Sequence, residues 1–139
     1  MKTLKFKSES IILNAEELVL TFSSPYMDVE HLLLSIINDK NNKACKILQK
    51  IGVDLRKIKT ELEKELRNRK TDQYEISPVN QKIFEIFNYA QDFAEKLGRE
   101  IVDAEHLLLG ILKESSSFAS KLLFDSGVSV ERVLSEIKS

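Results

Sequence analysis

Two Glu-His pairs, Glu30-His31 and Glu105-His106, carry the side chains of this 139-residue sequence most suited to chemistry. Each sits in the same setting, Asp28-Val29-Glu30-His31-Leu32-Leu33-Leu34 and Asp103-Ala104-Glu105-His106-Leu107-Leu108-Leu109. Neighbouring side chains on a helix diverge by about 100°. Neither pair therefore makes the H-E-x-x-H zinc motif or a Glu-x-x-His di-metal pair, and no metal site is expected. As structural residues, glutamates early in a helix favour its positive end by roughly 0.3–1 kcal/mol each. The two histidines are expected to be hydrogen-bonded and partly buried. Cys45 is the single thiol and lies between apolar helix positions with no base nearby in sequence, so it reads as a small packing residue rather than a nucleophile. The four glycines, at positions 52, 98, 110 and 127, have neither the G-x-x-x-x-G-K-[ST] nor the G-x-G-x-x-G spacing. ATP hydrolysis by a Walker motif is excluded, and neither catalytic residues nor a cofactor are expected.

The elements that must position these residues come from a duplication. A shift of 75 residues carries Asp28–Leu34 onto Asp103–Leu109, Ile36 onto Ile111, Ala44 onto Ala119, Lys46 onto Lys121 and Leu48 onto Leu123. It also carries Gly52-Val53 onto Gly127-Val128 and Glu61 onto Glu136, making thirteen of the 36 positions from Asp28 to Glu63 identical without a gap. Upstream, Ile11, Ile12, Ala15, Leu18, Val19 and Phe22 share the offsets of Ile86, Phe87, Ala90, Phe93, Ala94 and Leu97, an apolar stripe at helical spacing.

Each repeat reads as four helices. The first ends near Ser23 in one copy and at Gly98 in the other, where glycine suits a left-handed cap. Asp28 and Asp103 are N-caps for a second helix that is apolar nearly all round and thus central. A third, with Ala44, Ile47, Leu48 and Ile51 or Ala119, Leu122 and Leu123 inward, stops at Gly52 or Gly127. Asp54 or Ser129 caps the fourth, whose inward residues are Leu55, Ile58, Leu62 and Leu66 or Val130, Val133, Leu134 and Ile137. No stretch alternates with period two for long enough to predict a strand. The expected fold is all-α: two tandem four-helix repeats packed as one pseudo-twofold globular domain over 1–139. Repeat one spans about 8–69, a polar connector about 70–77, and repeat two, opening at Pro78, about 78–139. Repeats of about 60 residues would each be marginal alone.

Composition sets the limits on partners. Apolar residues at 42% and charged residues at 31% describe a folded, soluble chain, and a formal net charge of −1 gives no overall pull towards nucleic acid or anionic lipid. A lone cysteine suggests a reducing compartment, and we expect a cytoplasmic location. No apolar run approaches the ~20 residues that span a bilayer, and Met1–Ser10 lacks a signal-peptide core. The stretch from Arg56 to Lys70 holds seven basic and three acidic residues, read as a solvated helix face. Phe118 and Phe124 read as core, with an exposed one available as an anchor for unfolded segments.

With the doubled Glu-His-Leu-Leu-Leu segment, each followed by Gly-Val, the chain resembles the Clp amino-terminal domain that opens the ClpA, ClpC and ClpB-type AAA+ unfoldases. The run Tyr26-Met27-Asp28-Val29-Glu30-His31 is nearest to the ClpA and ClpC branches. The resemblance implies a recognition module without an activity of its own, held above the AAA+ ATPase modules. Its implied partners are substrate proteins or peptides and adaptors of the MecA or ClpS type, with no nucleic acid and no membrane. It further implies recognition of phosphorylated arginine, with Glu30 and Glu105 facing the guanidinium. Where many ClpC members have Gly-Thr before the glutamate, this chain has Asp28-Val29 and Asp103-Ala104. Asp28 and Asp103 thereby join the candidate ligand-binding residues, as carboxylates that compete for the helix-start N–H groups. Two other readings are a free-standing Clp-repeat adaptor or regulator and a helical nucleic-acid binder using the Arg56–Lys70 stripe. Near-neutral charge counts against the latter.

Overall fold

The computed structural model describes residues 5–7, 9–69 and 80–138. The connector expected over 70–77 and the helix start at Pro78 lie outside the described residues. In chain order the elements are β1 (Lys5–Phe6), α1 (Glu9–Thr21), α2 (Val29–Asn38), α3 (Lys43–Ile51), α4 (Leu55–Asn68), α5 (Gln81–Lys96), β2 (Ile101–Val102), α6 (Ala104–Glu114), α7 (Phe118–Asp125) and α8 (Val130–Lys138). The shift of 75 that aligns the sequences also aligns the helices. The first residues of α2, α3 and α4 fall on those of α6, α7 and α8.

Local chemistry explains those shared starts. Asp28 and Asp103 are extended N-caps whose Oδ1 atoms accept from Val29 N and Ala104 N, each at 2.8 Å. The reciprocal bond comes from an unusual residue: Nδ1 of His31 accepts from Asp28 N, and Nδ1 of His106 from Asp103 N, both at 2.9 Å. Histidine thus takes the place that Glu or Gln holds in an ordinary capping box. Asn42 and Ser117 cap α3 and α7, accepting from Cys45 N and Ser120 N. Gly52 and Gly127 end those helices with φ of 99° and 85°, a backbone that a Cβ would strain.

The centre of the molecule is built from α2 and α6. Every residue from Val29 to Ile37 and from Ala104 to Leu112 is buried. Burying side chains of this size stabilises by about 1.5–3 kcal/mol each. The repeats interlock crosswise, α3 packing on α6 and α8 while α2 packs on α7 and α6. At Gly110 the backbones of α5 and α6 come so close that a Cβ would stand 2.5 Å from the Ile86 carbonyl oxygen. The equivalent residue in repeat one, Ser35, fills the equivalent place differently: its hydroxyl donates to Ile11 O at 2.6 Å.

One departure from the all-helical expectation is a two-residue parallel ladder, Lys5 opposite Ile101 and Phe6 opposite Val102, continued by Lys7 N donating to Val102 O at 3.0 Å. It fastens the segment before α1 to the one before α6. Two residues are too few to show a period, which is why sequence patterning did not reveal it.

Candidate functional site

Glu30 lies in the first turn of α2 and is only 1% exposed. Its Oε2 accepts from the backbone N–H of Ala119, in the first turn of α7, at 3.0 Å. Its Oε1 is held by the Arg69 guanidinium, through Nη1. The same Nη1 donates to Asp28 Oδ2 at 3.0 Å, while Arg69 Nε donates to Glu65 Oε1 at 3.1 Å. One carboxylate thus joins α2, the end of α4 and the start of α7. Burial pushes the Glu30 carboxyl above its ordinary value and the Asp28 charge adds to this, against the opposing pull of Arg69 and the Ala119 N–H.

Glu105 holds the same position in repeat two with a different set of neighbours. It is 5% exposed, and Lys43 Nζ approaches its Oε2 at 3.7 Å from the first residue of α3. Its Oε1 has no hydrogen-bond partner among the described residues. Lys43 also lines a cleft of about 490 Å³ between α1 and α3, together with Lys7, Lys46, Asn42, Asp39 and Asp103. Lys7 lies on the side of α1 and Lys43 and Lys46 on α3, so with Asp39 and Asp103 the cleft carries both signs of charge, and Lys43 links it to the buried Glu105.

The histidines differ in the same asymmetric way. Because Nδ1 of each accepts a backbone N–H, each ring carries its proton on Nε2. His31 Nε2 donates to Ser24 Oγ at 2.8 Å. The position equivalent to Ser24 is Arg99, and His106 Nε2 is buried with no partner among the described residues. Burial holds both rings below the usual imidazole value, His31 at about 4, with Asp28 pulling the other way. The expectation of satisfied, partly buried histidines thus meets two fully buried rings, one satisfied and one short of a partner.

Cys45 is buried, its Sγ donating to Ile36 O at 3.1 Å. Burial, with Asp39 adding, pushes the thiol up to about 11, which fits packing and not nucleophilic attack. Among the described residues there is no group of three or more His, Cys, Asp or Glu side chains that could hold a metal. Among them also, no helix is long and apolar enough to cross a membrane. Phe118 packs partly buried against the core, whereas Phe124 is 42% exposed.

Of the four candidate residues, the structure brings Asp28 and Glu30 together around one guanidinium. It places Asp103 on the rim of the lysine cleft, with Lys43 of that cleft beside Glu105. Sequence reasoning does not find Arg69, which reads there as part of a solvated basic face. The only local signal was the Glu65-to-Arg69 spacing of four, which places the pair on one helix face. The lysine-lined cleft is missed as well, because Lys7, from before α1, joins Lys43 and Lys46 of α3 only in the folded chain.

The profile described as the Clp repeat (R) N-terminal domain matches residues 4–125 and again 78–139. The chain belongs to this family. It is 29% identical over 133 residues to the chaperone protein ClpB of Oceanobacillus iheyensis, covering 94% of this chain and 16% of that protein. It is also 29% identical over 133 residues to the negative regulator of genetic competence ClpC/MecB of Bacillus subtilis, again covering 94% of this chain and 16% of that protein. The chain spans about a sixth of the length of these relatives. The fold matches that of a ClpV N-domain solved in complex with a VipB peptide, with a TM-score of 0.72, 16% identity, and coverage of 94% of this chain and 81% of that one.

Proposed function

We propose that this domain is the receiving head of a Clp-type AAA+ unfoldase, taking substrate proteins or adaptors of the MecA or ClpS type and passing substrates to attached ATPase modules in the cytoplasm. The reading treats 1–139 as one working unit, with repeat one at about 8–69 and repeat two at about 78–139. Family membership supports the general role, as does the ability of a ClpV N-domain of the same fold to bind a peptide.

The finer reading is that Glu105 receives a guanidinium, and specifically that of phosphorylated arginine on a substrate. The observation that carries it is a carboxylate oxygen, Oε1, buried without a partner among the described residues and linked by Lys43 to the lysine-lined cleft. A guanidinium is planar and offers paired N–H donors, so it satisfies a carboxylate better than the point charge of Lys43 at 3.7 Å. Lys43 has a half-exposed side chain and is free to swing towards the phosphate, joined by Lys7 and Lys46. Asp103 occupies the Ala104 N–H at the start of α6, so the anionic group is received by lysines and not by that helix terminus. In the test, fluorescence anisotropy follows a labelled, unstructured peptide carrying one phosphoarginine. Binding should be lost on replacing the phosphoarginine with arginine, and in Glu105→Ala. Equal affinity for both peptides would remove phosphoarginine from the account.

A further inference from the structure

We propose that Arg69 is a built-in occupant of the Glu30 site, so that at rest the two equivalent glutamates are unequal and only the Glu105 site is open to a guanidinium ligand. The inference rests on the reading of these glutamates as guanidinium receivers and concerns the regulation of one of them. Three carboxylates, Asp28, Glu30 and Glu65, converge on the single Arg69 guanidinium. With Oε1 bound by Arg69 and Oε2 by Ala119 N, both oxygens of Glu30 are committed. An external guanidinium thus reaches Glu30 only by displacing Arg69.

Displacement is physically accessible. Arg69 is the C-cap of α4, one residue beyond the helix, and its side chain remains 33% exposed against 1% for that of Glu30. Rotation of its own side chain is enough to release Glu30, without unwinding α4. A tethered group competes at an effective concentration of millimolar or more. A latch closed about 99% of the time weakens an external ligand about 100-fold. Among the described residues the corresponding carboxylate in repeat two, Glu105, pairs with Lys43 alone, and that more loosely, with one oxygen unpartnered.

The experiment uses the whole chain, Arg69→Ala, and Arg69→Ala combined with Glu30→Gln. Arg69→Lys stands in should the alanine variant not fold, since it keeps the charge and removes the planar fork. Calorimetry with free phosphoarginine at pH 8, which favours the ionised Glu30 carboxylate, should give one equivalent for the unaltered chain. Arg69→Ala should give two, and adding Glu30→Gln should return it to one. Two equivalents for the unaltered chain, or one for Arg69→Ala, would overturn the latch while leaving the Glu105 reading standing. Absence of heat in every chain would remove that reading instead, and the latch is then decided by methylguanidinium, which carries no phosphate. Methylguanidinium at millimolar concentration should raise the Tm of Arg69→Ala and leave that of the double variant unraised. An equal response of the two would overturn the latch.

Discussion

Glu30 and Glu105 are matched by the duplication, yet losing each carboxylate is expected to have unequal effects. Glu30→Gln disturbs a buried acceptor shared by Arg69 and the Ala119 N–H, and should destabilise the chain by about 2–3 kcal/mol in urea unfolding. Glu105→Gln removes, among the described residues, the loose Lys43 contact alone and should cost under about 1 kcal/mol. Equal losses would contradict the asymmetry described above. His31 provides a second residue-scale prediction. Folded, it stays neutral down to about pH 4; unfolded, it takes up a proton near 6.5. The unfolded state binds the additional proton across that window, so stability falls as pH drops from 6.5 towards 4, by up to about 3 kcal/mol from this residue. His106 contributes with the same sign, whereas Glu30, raised from 4.5, opposes it by favouring the folded state as acid is added. His31→Asn, which keeps an acceptor for the Asp28 N–H, should flatten the pH profile of unfolding. An unchanged slope would show that the ring is not the group responsible.

At the scale of elements, the clearest test lies between α5 and α6. On an exposed helix, Gly110→Ala would gain roughly 0.5–1 kcal/mol from helix propensity. Here the added methyl meets the Ile86 carbonyl oxygen at 2.5 Å, so the substitution should instead destabilise by about 1–3 kcal/mol, seen as a lowered Tm. A stabilised variant would mean that the two helices have room to part. The same scale shows how far the sequence could be read. Helices α1 to α8 were legible because each carries an apolar stripe, and Asp28, Asp54 and Asp103 mark three of their starts as capping residues. The ladder of β1 with β2 was not, since neither two-residue segment has a pattern. Glu30 and Glu105 stood out through repetition, but Arg69 did not, because its link to Glu30 spans 39 residues and no periodicity encodes it.

On the scale of the whole molecule, duplication and crosswise packing make the halves depend on each other. The start of α7 satisfies Glu30, Lys43 of α3 approaches Glu105, and α3 packs on α6 and α8. Neither half keeps these contacts alone, and about 60 residues is a marginal size. Urea unfolding followed at Tyr89 in repeat two and by hydrogen exchange at Leu33 in repeat one should therefore show one shared transition. Two separated transitions would mean independent bundles. The central functional claim is that a substrate-borne guanidinium enters beside Glu105. The most direct measurement is a 15N NMR titration of the domain with a phosphoarginine-bearing peptide. The account predicts shifts concentrated at the amides of Lys43, Ala44, Glu105 and His106, with Ala119 N–H unmoved while Arg69 remains in place. Shifts centred instead on the exposed Leu13 and Leu20 of α1, with Glu105 silent, would contradict it.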